Sequence, residues 1–172
     1  MSALDLDATD LAHLRRCVDL AREALEDGDE PFGSLLVDAT GEVRFADRNR
    51  VRVGPADATQ HPELAAARWA AVHLGVGERA AATVYTSNEH CPMCAAAHGW
   101  VGLGRVAYAV SSAQLAGWLA EWGAPPAPVA ALPISSVAPG VQVSGPAPEL
   151  LDEVRALHRA RFDADFVQET GV

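Results

Sequence analysis

Apolar residues recur near the N-terminus at steps of three and four, which is the repeat of a helix with one buried face. The recurring residues are Leu11, Leu14, Val18, Ala21 and Leu25. This stripe predicts an amphipathic helix over Thr9 to Leu25. Thr9 or Asp10 can cap its start, and Gly28 can close it.

The pattern then changes to short apolar runs separated by turn residues. Pro31-Phe32-Gly33 is typical of a turn, and a strand is predicted over Ser34 to Val37. Thr40-Gly41 indicates a hairpin turn, after which Val43 to Val53 is predicted to return as a second strand. Pro55 to Gln60 is predicted to be a loop.

Helices and strands alternate beyond residue 60. Strands are predicted over Thr83 to Thr86 and Arg105 to Val110. Helices are predicted over Pro62 to Leu74, Pro92 to Trp100, and Ser111 to Trp122. Gly75 and Gly77 are expected to end the first of them. This alternation predicts parallel strands with helices packed on their faces, an α/β architecture.

The last third of the chain is rich in proline and alanine before it becomes helical again. Residues 123 to 140 are predicted to form a surface excursion, with a candidate short strand at Leu132 to Ser135. Val141 to Val143 is a candidate last strand, and Pro148 to Phe166 predicts a closing helix. No internal repeat is visible, and we expect residues 1–172 to form a single domain.

Composition narrows the class of protein. The chain has 172 residues, of which 49% are hydrophobic, yet no apolar run is long enough to span a bilayer. The N-terminus lacks the basic and then apolar pattern of a signal peptide, so we expect a soluble cytoplasmic protein and no membrane partner. Three cysteines in such a protein favour metal binding or catalysis over disulfides, and Cys17 is expected to be a packed side chain.

The charge balance argues against a nucleic-acid partner. The net charge is -10, and all 13 basic residues are arginines. A surface that neutralises several phosphates should carry a basic patch. The one local cluster of basic residues comprises Arg44, Arg48, Arg50 and Arg52, and a solvated strand face explains it more simply than a nucleic-acid footprint.

Candidate metal ligands lie at the starts of two predicted helices. Cys91 and Cys94 are three positions apart in the tract Asn88-Glu89-His90-Cys91-Pro92-Met93-Cys94, and His61 precedes the helix before it. One imidazole and two thiolates bind Zn²⁺ and leave a tetrahedral position open for water, as in catalytic sites. Helix N-termini favour ionised thiols. The sequence therefore predicts a zinc site formed by His61, Cys91 and Cys94.

Glu63 is the candidate catalytic residue. It follows His61 by two positions, which suits an acid/base beside the bound water better than a ligand. A purely structural zinc site is the main alternative, but Glu63 and the missing fourth protein ligand favour catalysis. His90 is too close to Cys91 to be that fourth ligand.

Other polar and aromatic residues have simpler interpretations. Packing explains His98 better than ligation, and Glu89 is either a partner of the metal loop or a solvated carboxylate. Trp118 and Trp122 share a helix face, which favours core packing over a base-stacking surface. Surface positions or satisfied core positions are expected for His13, His73 and His158.

The spacing also carries a family resemblance. Zinc deaminases have the signature His-x-Glu followed by Pro-Cys-x-x-Cys. This chain has His61-x-Glu63 and Cys91-x-x-Cys94. The tract from Tyr85 to Ala96 resembles that of bacterial guanine deaminases and tRNA adenosine deaminases, as do Pro31-Phe32-Gly33 and Asn49. The similarity covers residues 10 to 120 approximately.

The resemblance implies a fold, an activity and an assembly. The expected fold is the three-layer cytidine-deaminase-like one, a mixed five-stranded sheet between helices, usually in a dimer or larger assembly. Asn49 is expected to hydrogen-bond the base, Phe32 to line its pocket, and Pro62 to lie beside it. The expected reaction is zinc-dependent hydrolytic deamination of a small, purine-like nucleobase or nucleoside. The alternatives are tRNA adenosine deamination, cytosine or cytidine deamination, and a non-catalytic zinc-stabilised binding module.

Three positions depart from the family pattern. His90 stands where proline usually precedes the first cysteine, and Pro62 stands where most relatives have alanine. In several relatives the backbone N–H at the position of Pro62 donates to the substrate. Because proline has no N–H, that hydrogen bond is lost or replaced here. The loop Ser111-Ser112-Ala113-Gln114 lacks the aspartate expected to read the amino group of guanine. These departures leave the reaction type in place and open the question of the substrate.

Overall fold

The computed structural model describes residues 5–52 and 56–170, with side chains as far as residue 165. One five-stranded sheet crosses the molecule in the order β2-β1-β3-β4-β5. Its strands are β1 (Gly33–Val37), β2 (Val43–Arg48), β3 (Thr83–Asn88), β4 (Arg105–Val110) and β5 (Val143–Ser144). The strand β1 pairs antiparallel with both β2 and β3, whereas β3, β4 and β5 are mutually parallel. The expected mixed five-stranded sheet is therefore confirmed.

The described helices cover both faces of this sheet. They are α1 (Ala8–Glu26), α2 (Pro62–His73), α3 (Val76–Ala81), α4 (Pro92–Val101), α5 (Ser112–Glu121), α6 (Ile134–Val137) and α7 (Leu151–Thr170), with a 3-10 turn at Pro148–Leu150. Among the described residues, no helix combines the length and the apolar character that a bilayer crossing requires.

Two hydrophobic cores lie on opposite faces of the sheet, because successive strand residues point to opposite sides. In β1, Leu35 packs into the core under α1 and α7, while Leu36 packs into the core under α2 and α4. In the neighbouring strand β3, Tyr85 packs into the first of these cores and Val84 into the second. The result is the three-layer α/β arrangement that the resemblance implies.

A partly buried ion pair holds α1 against the sheet. Arg105 of β4 donates two hydrogen bonds of 2.7 Å to Asp10, and the Tyr85 hydroxyl donates a third of 2.8 Å. Burial alone would raise the pKa of Asp10, but these hydrogen bonds outweigh it and hold the pKa at about 2. Asp10 therefore anchors the helix to the sheet. The predicted cap at Thr9 or Asp10 is wrong: the cap is Asp7, which accepts from the Asp10 N–H at 2.8 Å.

The predicted second strand is too long. It ends at Arg48 because the next residue turns: the Asn49 N–H donates to the Phe32 carbonyl at 3.0 Å, and its side chain accepts from the Val51 N–H at 3.0 Å. The predicted last residue of that strand, Val53, lies outside the described residues.

The remaining differences fall in connecting segments. The glycines after α2 do not lead straight into β3, because Val76–Ala81 forms the additional helix α3. The candidate strand at Leu132 to Ser135 is wrong, since Ile134–Val137 is the short helix α6. The last strand is at Val143–Ser144 instead of Val141 to Val143. The closing helix proper begins at Leu151, after the 3-10 turn.

Candidate metal centre

Two helix N-termini converge on one site. His61 is the N-cap residue of α2, and Cys91 is the N-cap residue of α4. Each is followed by a proline at the first helical position. Because an N–H at that position has no partner within the helix, the proline costs no helical hydrogen bond. Cys94 lies one turn further along α4 and is buried. The positive ends of both helix dipoles thus favour negative charge on the two sulfur atoms.

The three side chains are spaced as tetrahedral zinc requires. The Nδ1 atom of His61 lies 3.7 Å from the Cys91 Sγ and 3.6 Å from the Cys94 Sγ, and the two Sγ atoms are 3.6 Å apart. Ligand bonds of about 2.0–2.3 Å at tetrahedral angles give separations of about 3.6–3.8 Å. Among the described residues, the group of mutually close ligand atoms contains these three and no fourth. The predicted cluster therefore fits a zinc ion with one coordination position left for a small molecule.

The electrostatics of the cluster favour a thiolate. A hydrogen bond from the Cys94 thiol lowers the pKa of Cys91 to about 4, and His61 contributes in the same direction. The same contact, together with burial, raises the pKa of Cys94. The hydrogen bond to Cys91 also raises the pKa of His61. The donor set is thus one ready thiolate with a second thiol that a metal would ionise.

Glu63 lies beside the cluster, in the first turn of α2, and is only 5% exposed. Its Oε2 atom is 3.8 Å from the Cys94 Sγ, and its Oε1 atom accepts a 3.0 Å hydrogen bond from the Thr86 hydroxyl. Burial raises the pKa of Glu63, opposed mainly by the nearby His61. A buried carboxyl group with a raised pKa can exchange protons with a neighbouring reactant.

Two of the other predicted site residues, Phe32 and Pro62, adjoin His61. The Phe32 ring stacks on the His61 ring at a centroid distance of 6.5 Å, and Pro62 is buried between His61 and Glu63. Asn49 is 1% exposed, and its backbone N–H donates a hydrogen bond to the Phe32 carbonyl. Its Nδ2 atom has no hydrogen-bond partner in the part of the chain that the structure describes. A buried amide of this kind is available to a ligand.

Three residues near the site carried no sequence signal of function. Thr86 holds Glu63, Asn88 ends β3, and His158 reaches Asn88 from α7 with an Nε2–Oδ1 distance of 3.2 Å. His158 also packs edge-on against Phe32 at a centroid distance of 5.1 Å. A helical period or a motif spacing could not identify these residues, because each acts through a partner distant in sequence.

Two residues next to the cysteines have structural roles. Glu89 is not a solvated carboxylate: it is buried and accepts from the N–H groups of Ser112 and Ile134, each at 2.9 Å. His90 packs edge-on against His98 at 5.3 Å, and burial lowers the pKa of both imidazoles. His90 is outside the ligand cluster, as expected, and His98 is a packed histidine.

The site geometry agrees with comparison to known proteins. Residues 7–110 match the family model for the cytidine and deoxycytidylate deaminase zinc-binding region, which is more than half of the chain. The chain belongs to this family. Its members are deaminases, hydrolases that act on carbon–nitrogen bonds, and the zinc site expected from the sequence is confirmed at the level of the family.

Two curated relatives with different substrates are similar to this deaminase. A probable cytosine deaminase of Schizosaccharomyces pombe is 36% identical over 115 residues, which cover 67% of this chain and 68% of the relative. The guanine deaminase of Bacillus subtilis is 36% identical over 104 residues, which cover 60% of this chain and 65% of the relative. Equal identity to both leaves the substrate unresolved.

The fold is also that of solved deaminase structures. The guanine deaminase from Nitrosomonas europaea superposes with a TM-score of 0.65 at 20% identity, covering 93% of this chain and 86% of that one. Identity at this level shows the fold alone. The cytidine-deaminase-like architecture that the resemblance implies is therefore confirmed.

Proposed function

We propose that this deaminase catalyses the hydrolytic deamination of a small, purine-like nucleobase or nucleoside and releases ammonia. The observation that supports the proposal most directly is the buried carboxyl group of Glu63 beside the His61, Cys91 and Cys94 cluster. A structural zinc site requires neither a buried acid next to it nor an open ligand position. This combination distinguishes an enzyme from a zinc-stabilised binding module.

The proton transfers are assigned to Glu63. Zinc, when bound, supplies Lewis acidity that makes water a nucleophile near neutral pH. Glu63 accepts one proton from the attacking water and delivers it to the ring nitrogen; it then accepts the remaining proton of the former water from the new hydroxyl group and delivers it to the departing amino group. One water is consumed, the carbon–nitrogen bond to the amino group breaks, and an oxo product and ammonia form. Thr86 keeps the Glu63 carboxylate aimed at the site through its 3.0 Å hydrogen bond.

Three further residues are proposed to hold the ring. The unpartnered Nδ2 atom of Asn49 donates to the base, the Phe32 ring provides an apolar wall, and Pro62 borders the pocket without offering an N–H group. The chain itself is proposed to form a homodimer, as the resemblance implies.

Guanine itself is not favoured by the loop after β4. Ser111 and Gln114 bond to each other in a capping box, and the Ser112 N–H is engaged by Glu89. This loop therefore presents no carboxylate to an exocyclic amino group. Cytosine is the second candidate substrate, since the similarity to the probable cytosine deaminase is as high as that to the guanine deaminase.

A screen for ammonia release tests the proposal. Zinc-loaded protein is incubated with guanine, adenine, cytosine, their nucleosides, and methylated or triazine analogues. Replacement of Glu63 by alanine (Glu63→Ala) should retain zinc and lower the rate by roughly 10²–10⁴. Glu42→Ala, at an exposed carboxylate, is the matched control and should leave the rate unchanged. Full turnover by the Glu63→Ala variant, or zinc binding with no ammonia from any compound, would contradict the mechanism.

A further inference from the structure

A second pair of polar side chains lies at the same edge of the sheet as the metal cluster. Asn88 is the last residue of β3, and two residues before it Thr86 holds Glu63. Asn88 lies three residues before Cys91, at the carboxyl end of a parallel strand, where open α/β sheets bind their ligands.

His158 completes this pair from α7. His158 is 4% exposed, and its ring packs edge-on against Phe32, which also stacks on the ring of the proposed ligand His61. Its Nε2 atom lies 3.2 Å from the Asn88 Oδ1. The imidazole, the Phe32 ring and the metal-site imidazole thus form a continuous wall that the C-terminal helix completes.

The position of His158 is fixed before any ligand binds. One turn further along α7, the buried Arg161 donates to the Gly28 carbonyl at 3.3 Å and pairs with Asp165. Asp165 also pairs with Arg52 at 3.0 Å. Arg52 is in the loop that follows Asn49, so the same contacts join α7 to the segment carrying that proposed base-binding residue.

The pair leaves unused hydrogen-bonding capacity. The Oδ1 atom of Asn88 accepts the proton of the His158 Nε2, so the second imidazole nitrogen, Nδ1, carries a lone pair. Burial lowers the pKa of His158 to about 3, which keeps the ring neutral near pH 7. The Asn88 Nδ2 is buried and has no partner among the described residues. A buried donor without a partner costs free energy unless a ligand or water satisfies it.

We propose that Asn88 and His158 are specificity-determining residues that read a lactam edge of the substrate, a ring carbonyl next to a ring N–H. Asn88 Nδ2 donates to the carbonyl oxygen, and His158 Nδ1 accepts from the ring N–H. Guanine, isocytosine and cytosine carry such an edge as free bases, and adenine does not. A site that uses buried polar groups to recognise an edge discriminates strongly against compounds that lack it, because the groups are then left unpaired. This inference rests on the proposed deaminase activity.

The test compares substrates across shape-conserving variants. His158→Phe keeps the ring against Phe32 and removes both nitrogens, and Asn88→Leu keeps the volume and removes the amide. The readout is the ratio of kcat/KM for the lactam bases guanine, isocytosine and cytosine to that for adenine. We expect this ratio to fall about 10-fold or more in each variant, mainly through KM, with zinc content unchanged. His158→Gln, which restores a polar side chain, should recover part of the preference.

A matched control separates recognition from general damage. His73→Phe changes an exposed histidine that stacks on Trp69 and should leave the ratio unchanged. Ratios within about twofold of wild type in both His158→Phe and Asn88→Leu would overturn the inference, and so would a wild-type preference for adenine. Neither result would affect the proposed deamination.

Binding calorimetry covers the case of a weak or absent activity. If the wild type releases ammonia from no base, the proposed function fails. Guanine and adenine are then titrated into the zinc-loaded wild type and both variants. Selective binding of guanine that the variants lose would support the pair, whereas unselective binding or no binding would overturn it.

Discussion

Glu63 is oriented by a chain of two buried hydroxyl groups. The Ser34 hydroxyl donates to the Thr86 Oγ1 at 3.0 Å, and Thr86 donates to the Glu63 Oε1 at 3.0 Å. Both hydroxyl residues are fully buried on adjacent strands, where they face each other in the register of β1 and β3. A hydroxyl group that accepts one hydrogen bond directs its own proton more firmly to the next acceptor. The sheet therefore sets the direction of the carboxyl group.

Thr86→Val tests this arrangement with almost no change in shape. The valine cannot donate to Glu63, so the carboxyl group loses its orientation and one hydrogen bond worth about 1–3 kcal/mol. We expect kcat to fall roughly 10-fold while bound zinc stays stoichiometric, measured by ammonia release and metal analysis. Thr83→Val, at the start of the same strand, is the control and should retain full activity. An unchanged kcat in Thr86→Val would show that Glu63 does not need this contact.

The site residues differ in how far the sequence reveals them. The close approach of His61, Glu63, Cys91 and Cys94 is predictable, because short spacings and helix-starting prolines place these residues at two helix N-termini. The Asn88–His158 contact joins residues 70 positions apart. This contact depends on how α7 packs across the sheet, which no local sequence pattern encodes. In the sequence, His158 therefore cannot be distinguished from other helical histidines.

At the scale of the elements, Glu89 connects two helices to the metal loop. Its Oε2 accepts from the Ser112 N–H at the start of α5, and its Oε1 accepts from the Ile134 N–H at the start of α6. Helix N-termini carry partial positive charge and unsatisfied N–H groups, so a carboxylate is well suited to this position. Since Cys91 is two residues away, the proline-rich excursion is fastened directly beside the metal ligands.

Glu89→Gln tests this connection. The amide nitrogen of glutamine cannot accept, so one backbone N–H is left unsatisfied in a buried place. We expect a loss of roughly 2 kcal/mol in the free energy of unfolding, measured by urea denaturation, together with weaker zinc retention against a chelator. Glu121→Gln changes an exposed carboxylate paired with Arg155 and should cost less than about 1 kcal/mol. Equal effects of the two substitutions would show that Glu89 is not an anchor.

Most elements were predictable from periodicity, and the exceptions have identifiable causes. The helix α6 has only four residues, too few for a helical period, and its apolar start is typical of a strand. Ile134 is fully buried beneath the sheet and its N–H is held by Glu89, so tertiary contacts determine its conformation. In β2, the side-chain bond of Asn49 ends a strand whose apolar pattern continues.

At the scale of the whole molecule, the local cluster of arginines is neutralised by carboxylates. Each member of the one local basic cluster in the sequence is paired: Arg44 with Asp38 at 3.1 Å, Arg48 with Asp27, Arg50 with Asp47 at 2.6 Å, and Arg52 with Asp165 at 3.0 Å. The net charge of the chain is -10. Phosphate binding needs unpaired basic groups, since affinity for nucleic acids arises largely from counterion release. This charge arrangement opposes an RNA substrate and favours a small one.

Filter binding of tRNA checks this expectation. At 0.15 M salt we expect a dissociation constant no tighter than the nonspecific range of about 10⁻⁴–10⁻⁶ M, because the four arginines of this cluster are already paired with carboxylates. The double variant Asp38→Asn/Asp47→Asn removes two carboxylates and releases Arg44 and Arg50 without enlarging either side chain. Its tRNA affinity should exceed that of the wild type and fall more steeply with salt. Tight, strongly salt-dependent binding by the wild type would instead indicate an RNA-editing enzyme, and the small-molecule substrate class would have to be abandoned.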